Sequence, residues 1–232
     1  MALRYITGRS GQGKTEYLVK EVIRRSIEIP EKQYYVIVPE QFSLEMQRKI
    51  VKMHPRHGFF NIDVLSFHRL SYRIFAECNY QPKEILEDLG VSMMLRKILS
   101  EEEGDFLYFK KSMKKPGFID ELKSMLMEFI GYGVSWKQVE EVTKQLDENK
   151  SLCNKCEELG RIYEHFEKAI EGRFMVTEQI LDVAREFAKE APMLTNAVFY
   201  FDGFAGFTPV QLAFLKELLK VAGQINVTIT IP

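Results

Sequence analysis

The sequence is poor in the features that mark secreted and membrane-spanning proteins. It has three cysteines in 232 residues, too few and too odd in number for a disulfide framework. It contains no continuous apolar run of about 18 residues, so no membrane-spanning helix is expected. The N-terminal segment MALRYITGRS lacks the apolar core of a signal peptide. These absences favour a cytoplasmic protein with reduced thiols and no membrane partner.

Metal-ligand patterns and an overall basic charge are also missing. Cys153 and Cys156 form a single CxxC pair without the second pair that a zinc or iron–sulfur site requires. The four histidines show no ligand spacing. The net charge is −1, so no global field points to nucleic acid. The four lysines within residues 109–117 favour a solvated surface, although they could contact a DNA backbone.

Residues 1–80 and 191–232 alternate strand-like and helix-like patterns. Apolar, β-branched runs predict strands in LRYI (3–6), YYVIVP (34–39), FFNIDVLSF (59–67), AVFYF (197–201) and QINVTITI (224–231). Helical periodicity covers 14–28, 41–53, 67–78 and 209–222. This alternation predicts an α/β domain with right-handed crossovers and a parallel sheet.

The intervening residues 81–190 are rich in Leu, Met, Glu and Lys and predict an inserted, all-helical subdomain. Helical stripes run through 84–100, 118–131, 136–147, 152–171 and 177–189, with no convincing strand between them. The last residues, INVTITIP, form a strand-like run, so we expect this chain to be a piece of a longer protein.

A glycine-rich loop between the first strand and the first helix fits the pattern G-x-x-x-x-G-K-[ST]. Its residues are Gly8, Arg9, Ser10, Gly11, Gln12, Gly13, Lys14 and Thr15. Glycines allow backbone N–H groups to face a phosphate, and the following helix offers its positive N-terminus. In this pattern Lys14 reaches the β- and γ-phosphates, and the Thr15 hydroxyl binds Mg²⁺. The loop therefore predicts a site for ATP and Mg²⁺.

Hydrolysis requires more than this loop. An Asp at the end of a second strand holds the water shell of the metal, and a carboxylate usually orients the attacking water. Asp202 ends the strand VFYF and is the candidate for the metal role, although Asp-Gly is also a common turn pair. The following residue is Gly203, so the expected carboxylate is missing.

Two further strand ends carry polar residues. Glu40 and Gln41 follow the second strand, where an α/β sheet presents ligand-binding loops, but Glu40 could equally stabilise a helix N-terminus. Ser66, Phe67 and His68 open the next helix; a capped, packed helix is the simpler interpretation, and contact with single-stranded nucleic acid is the alternative.

Together these motifs resemble the first RecA-like domain of superfamily 1 UvrD-like DNA helicases. The segments GRSGQGKT, VPEQF, SFHRL and FDGFAGFTPVQ are similar to the N-terminal part of the AddB family. The resemblance implies single-stranded DNA contacts at Gln41 and at residues 66–68, and it places Asp202 and Gly203 at the second ATPase motif.

The resemblance also implies a partner subunit and a DNA substrate. AddB pairs with AddA, the motor of a complex that unwinds and degrades DNA at double-strand breaks and recognises Chi sequences. The nuclease domain and iron–sulfur cysteines of AddB lie far C-terminal, so Cys78, Cys153 and Cys156 are not assigned to that cluster. The adenine-reading Gln motif has no room before Leu3, and the arginine finger would lie beyond Pro232.

We therefore expect a P-loop domain that binds ATP but is deficient as a motor. Two alternatives remain open from the residues alone. One is an active P-loop enzyme, such as a small-molecule kinase, with Glu40 or another carboxylate as base. The other is a binding module for DNA or protein whose loop stays empty.

Overall fold

The computed structural model describes residues 2–101, 106–113, 115–145 and 150–231. The chain divides into two compact units, one formed by Met1–Gln81 with Leu181–Pro232 and the other by Pro82–Ile180. Within the described ranges, no helix combines the length and apolar character that a membrane span requires.

Strands and helices are numbered in chain order. The strands are β1 (Ala2–Gly8), β2 (Tyr34–Ile37), β3 (Ile62–Leu65), β4 (Glu84–Ile85), β5 (Phe174–Met175), β6 (Val198–Phe201) and β7 (Gln224–Thr230). The helices are α1 (Lys14–Glu28), α2 (Ser43–Met53), α3 (Phe67–Glu77), α4 (Asp88–Glu101), α5 (Phe118–Tyr132), α6 (Trp136–Gln145), α7 (Lys150–Ile170), α8 (Ile180–Glu186) and α9 (Pro209–Val221). Short 3-10 turns occur at Glu40–Phe42, Phe109–Lys111, Thr177–Gln179 and Pro192–Leu194.

The described residues of the first unit form a five-stranded sheet in the order β1-β7-β6-β2-β3, with every pairing parallel. The α/β fold with a parallel sheet is therefore confirmed. The central strands β2 and β6 are buried at every position, as their continuous apolar runs predict. Because the strands are parallel, their carboxyl ends all lie along one edge of the sheet.

Helices cover both faces of this sheet. On one face, Leu18 and Val22 of α1 and Ile50 of α2 share a buried cluster with Tyr34 and Val36 of β2. On the other face, an aromatic ring from α3 and one from α9 pack with β6: the Phe67 ring lies 5.7 Å from that of Phe201 and 6.1 Å from that of Phe214. The three-layer arrangement holds the carboxyl-edge loops on a fixed frame.

The second unit contains helices α4 to α7 around its own apolar core, which includes Leu95, Leu126 and Phe166. The prediction that this region is all-helical was wrong in one respect. Residues 84–85 of β4 pair in parallel with residues 174–175 of β5, and α4 begins at Asp88 instead of residue 84. A two-residue strand is too short to show the alternation that would have predicted it.

The second boundary between the units falls after Ile180, ten residues before the position expected from the sequence. The segment 181–190 lies in the first unit because its apolar side chains pack there. The Phe187 ring is 4.5 Å from that of Tyr80 and 6.2 Å from that of Phe75, and Ala184 is buried.

Candidate functional site

The glycine-rich loop runs from the end of β1 at Gly8 to the start of α1 at Lys14. Gly11 and Gly13 have φ angles of +76° and +79°, the left-handed region that side chains disfavour. A Cβ at either position would meet nothing within 4 Å, so backbone conformation and not crowding requires glycine. No side chain caps α1, which leaves its first N–H groups available to a ligand.

Lys14 and Gln12 close the loop from within. The Lys14 ammonium donates to the carbonyl oxygens of Gly8 at 2.9 Å and Arg9 at 2.8 Å. The Gln12 side-chain oxygen accepts from the Arg9 N–H at 2.8 Å. Ser10, like Arg9, is exposed at the crest. The Lys14 ammonium is thus held by two backbone carbonyls of the loop, and these bonds use two of its three N–H donors.

Asp202 lies beside this loop at the end of β6. The Thr15 hydroxyl donates to Asp202 Oδ2 at 2.7 Å, which joins residues far apart in the chain. The Thr228 hydroxyl of β7 donates to Asp202 Oδ1 at 2.6 Å. Asp202 is only 5% exposed, so its carboxylate is fixed by two hydroxyl groups. The structure therefore brings together Thr15 and Asp202, the two residues predicted to hold a metal.

Thr228 was missed by sequence reasoning. It lies on β7, the strand between β1 and β6, one residue beyond the last β6–β7 pair, which is Phe201 with Val227. The strand order and register place its hydroxyl next to Asp202, and neither follows from the pattern of β7 alone. The sequence signal is weak, because Thr228 is one of several polar residues, with Asn226 and Thr230, in the regular alternation of this strand.

Gly203 follows Asp202 with a φ of +80°, again in the left-handed region. A Cβ there would lie 3.5 Å from Pro39 Cδ and 3.6 Å from Phe42 Cδ2, which is ordinary contact. The backbone conformation, more than space, disfavours a glutamate at this position.

A cavity of about 230 Å³ opens from the Thr15–Asp202 pair toward α2. Its walls are Thr15, Val38, Phe42, Glu45, Met46, Lys49, Asp202 and Gly203. Glu45 and Lys49 bring opposite charges to the wall that faces Thr15 and Asp202.

The residues predicted at the other strand ends have different surroundings. Ser66 caps α3 by accepting from the Arg69 N–H at 3.3 Å, and its hydroxyl donates to Glu40. Glu40 therefore accepts a hydrogen bond from the residue that caps α3. Gln41 and His68 are exposed.

Phe67 is 8% exposed and lies within ring-contact distance of four other phenylalanines: Phe201, Phe204, Phe207 and Phe214. Its ring is a core group, so the stacking role considered for it has no accessible surface. The capped, packed helix is the better interpretation here, and His68 is the residue of this segment that faces solvent, its ring 4.9 Å from that of Tyr72.

The cysteines do not assemble a metal site in the part of the chain described. Cys153 Sγ donates to the Thr143 carbonyl at 3.2 Å. No cluster of three or more His, Cys, Asp or Glu side chains suited to a metal occurs among the described residues.

The loop and Asp202 fit a magnesium–nucleotide. Two left-handed glycines, an uncapped helix start and a lysine suit the phosphates, while a hydroxyl and a carboxylate are the oxygen ligands that Mg²⁺ prefers. Thr15 and Asp202 lie at hydrogen-bond distance, so the two oxygen groups are close enough to serve one metal site.

Comparisons with known proteins cover nearly the whole chain. A sequence model of the family described as ADDB, N-terminal, matches residues 5–232. Proteins named as the B subunit of an ATP-dependent helicase/deoxyribonuclease are similar: that of Lachnoclostridium phytofermentans is 36% identical over 99% of this chain and 20% of its own length. Those of Acetivibrio thermocellus and Oceanobacillus iheyensis are 32% and 31% identical over 98% and 100% of this chain, again across 20% of their own length.

The chain thus spans about a fifth of the length of these relatives. The match extends through both units and includes the glycine-rich loop and Asp202. The chain therefore belongs to the AddB family and corresponds to the N-terminal part of its members.

Proposed function

We propose that the first unit is a P-loop domain of the RecA-like type and that it binds ATP with Mg²⁺ at the loop and Asp202. The observation that carries this proposal is the hydrogen bond between Thr15 Oγ1 and Asp202 Oδ2. It couples the end of a G-x-x-x-x-G-K-[ST] loop to an aspartate at the end of a parallel strand. This is the pair of positions that shares a nucleotide-bound metal in P-loop proteins.

Each residue has a defined task in this proposal. The N–H groups at Gly11 and Gly13 and at the start of α1 bind phosphate oxygens. Lys14 exchanges its carbonyl partners for phosphate oxygens and neutralises their charge. Thr15 would offer its hydroxyl oxygen to the metal, and Asp202 would hold metal-bound water. Mg²⁺, when bound, would supply neutralisation of the phosphate charge.

We further propose that this domain is deficient as a motor. A motor needs a carboxylate beside Asp202 to orient the attacking water, and the chain has Gly203 there. The positive φ of Gly203 supports a backbone adapted to glycine at this position. The domain would hold the nucleotide without rapid turnover.

The relatives' name supplies the setting for the proposal. Since it describes one part of an ATP-dependent helicase/deoxyribonuclease, we infer that the whole protein belongs to a helicase–nuclease that processes DNA double-strand breaks for recombination. Double-stranded and single-stranded DNA would be its substrates and AddA its motor partner. Gln41 and His68, both exposed at the carboxyl edge, are the residues we assign to single-stranded DNA.

One observation favours an active enzyme as the second candidate. Glu45 lines the cavity that contains Thr15 and Asp202, whereas Glu40 bonds Ser66 and does not line it. If this site hydrolyses or transfers phosphate, we assign the role of general base to Glu45 and not to Glu40.

Nucleotide binding and turnover test the proposal together. We expect saturating Mg-ATP to stabilise the chain by about 2.7 kcal/mol at 100 times Kd, and Lys14→Ala to abolish the shift. Lys52→Ala, an exposed lysine of α2 outside both the loop and the cavity, should leave it intact. Phosphate release should stay far below one per second with or without single-stranded DNA.

Other outcomes would reassign the site. Turnover of many per second that depends on DNA would contradict the motor-deficient proposal. Phosphoryl transfer without DNA, abolished by Glu45→Gln, would favour the enzyme. No stabilisation in the wild-type chain, or the same stabilisation in Lys14→Ala, would mean that the loop is only structural.

A further inference from the structure

A second cavity, of about 370 Å³, lies on the other side of the glycine-rich loop. Its walls are Arg4, Tyr5, Ile6, Thr7, Gly8, Gln12, Gly13, Lys14 and Tyr17. None of these residues lines the cavity beside Asp202, so the loop separates the two spaces. The second cavity follows β1, which is the edge strand of the sheet and pairs only with β7 among the described strands.

Arg4 and Tyr17 form a fixed pair on the wall of this cavity. Arg4 Nη2 donates to the Tyr17 hydroxyl at 2.6 Å, and Arg4 Nη1 donates to Glu21 Oε1 at 2.7 Å. The Arg4 guanidinium carbon lies 5.8 Å from the centre of the Tyr17 ring. Glu21 is 8% exposed, so the arginine is anchored on a buried carboxylate.

The two planar groups nevertheless remain open to solvent. The Arg4 side chain is 41% exposed and Tyr17 is 48% exposed. Tyr5, the next residue of β1 and 56% exposed, also lines the cavity. Planar groups that are held in place and accessible are suited to stacking on an aromatic ligand.

The direction of a bound nucleotide follows from the metal pair. Thr15 and Asp202, which would hold the metal beside the terminal phosphates, lie on the β6 side of the loop. A nucleotide bound in this direction would place its nucleoside on the opposite side, toward β1 and its cavity.

We propose that Arg4 and Tyr17 form the stacking platform for the nucleobase of the bound nucleotide. This inference rests on the proposed nucleotide site at the loop. Stacking uses the face of the base and reads no specific edge, so the platform favours a large purine without strong selection between adenine and guanine.

The test compares Mg-ATP with Mg-ribose 5-triphosphate, which has the same phosphates and sugar but no base. Equilibrium binding to the 232-residue chain should be about tenfold tighter for ATP. Tyr17→Ala should remove this difference by weakening ATP alone. Tyr17→Phe, which keeps the ring, should retain it, and so should Tyr132→Ala, a tyrosine of the second unit with 49% exposure.

The outcomes separate this inference from the proposed function. If the wild-type chain binds both ligands equally, or if Tyr17→Ala leaves the ratio unchanged or weakens both ligands by one factor, the platform is wrong while the phosphate site stands. If the wild-type chain binds neither ligand, the phosphate site fails and the platform with it. Equal binding of the two ligands by the wild-type chain would overturn the platform even if Tyr17→Ala does not fold.

Discussion

At the residue scale, both carboxylate oxygens of Asp202 are occupied by hydroxyl donors. Thr15 comes from α1 and Thr228 from β7, and together they orient a buried negative charge toward the loop. A buried carboxylate is costly unless it is hydrogen-bonded. The arrangement fixes the group that would hold the water shell of a metal without making it a direct ligand.

Asp202→Asn tests this role. The amide keeps the shape and one acceptor oxygen of the side chain but loses its charge. We expect Mg-ATP to bind about 10- to 100-fold more weakly, which is the usual effect of replacing a residue that contacts the ligands of a metal. Calorimetric titration with and without EDTA measures the effect, which should disappear when Mg²⁺ is removed. Asp120→Asn, at an exposed carboxylate of α5, is the control. Equal weakening with and without Mg²⁺ would contradict the metal role.

Gly203→Glu tests whether the missing carboxylate can simply be restored. The φ of +80° should make the variant less stable by about 1–3 kcal/mol, and Gly203→Ala should cost the same because it shares the backbone strain. Urea unfolding measures both values, and a phosphate-release assay should show no gain in turnover for Gly203→Glu. A stable, rapidly hydrolysing variant would show that the conformation at residue 203 does not limit the site.

At the element scale, a buried carboxylate of α7 holds a short segment of the second unit. Glu158 accepts hydrogen bonds from the backbone N–H groups of Leu107, Tyr108 and Phe109 at 2.6, 2.6 and 2.9 Å. Glu158 is 6% exposed. It therefore anchors the start of the 3-10 turn Phe109–Lys111, where the first N–H groups have no helical partner.

Glu158→Ala should lower the free energy of unfolding by about 3 kcal/mol, because it removes the charged acceptor of three N–H groups, of which that of Phe109 is buried. Hydrogen exchange should accelerate at residues 107–109. Glu157→Ala, whose side chain is 62% exposed on the same helix, is the matched control and should change stability by less than about 0.5 kcal/mol. Equal effects of the two substitutions would refute the anchoring role.

Elements with a strong local pattern could be predicted from the sequence. Residues 14–28 are predicted as a helix and form Lys14–Glu28, because an apolar stripe that includes Leu18 and Val22 recurs at helical spacing after the glycine-rich loop. The β4–β5 pair could not be predicted, since two residues show no period. The burial of Phe67 and the role of Thr228 depend on which strands and helices are neighbours, and that information is tertiary.

At the scale of the whole molecule, the parallel sheet assembles the candidate site from distant parts of the chain. The loop ends at Thr15, while Asp202 and Thr228 come after the entire second unit in the sequence. All three lie within the first unit, so its integrity decides whether the site exists.

The stability of the first unit should fall at alkaline pH. Burial raises the pKa of Tyr35 to about 12 and that of Tyr200 to about 12, in both cases against a smaller lowering effect of a nearby arginine. Both lie in the sheet. A raised tyrosine pKa contributes stability that is complete below the ordinary value of about 10 and is lost as the pH rises through the folded value.

We therefore expect the melting temperature to fall between about pH 10 and pH 12. The absorbance of ionised tyrosine should rise together with unfolding. The double variant Tyr35→Phe/Tyr200→Phe should melt at a less pH-dependent temperature in this range. A wild-type melting temperature that stays level across the range would show that these hydroxyls are not buried in solution.

We propose that the loop holds ATP without hydrolysing it, and a single-turnover experiment tests both binding and hydrolysis. A limiting amount of labelled Mg-ATP is mixed with excess chain and single-stranded DNA, and samples are quenched from seconds to minutes. We expect the label to be bound to the protein and recovered as ATP throughout. Conversion of the bound ATP to ADP within seconds, or failure of the chain to bind the label, would contradict the claim.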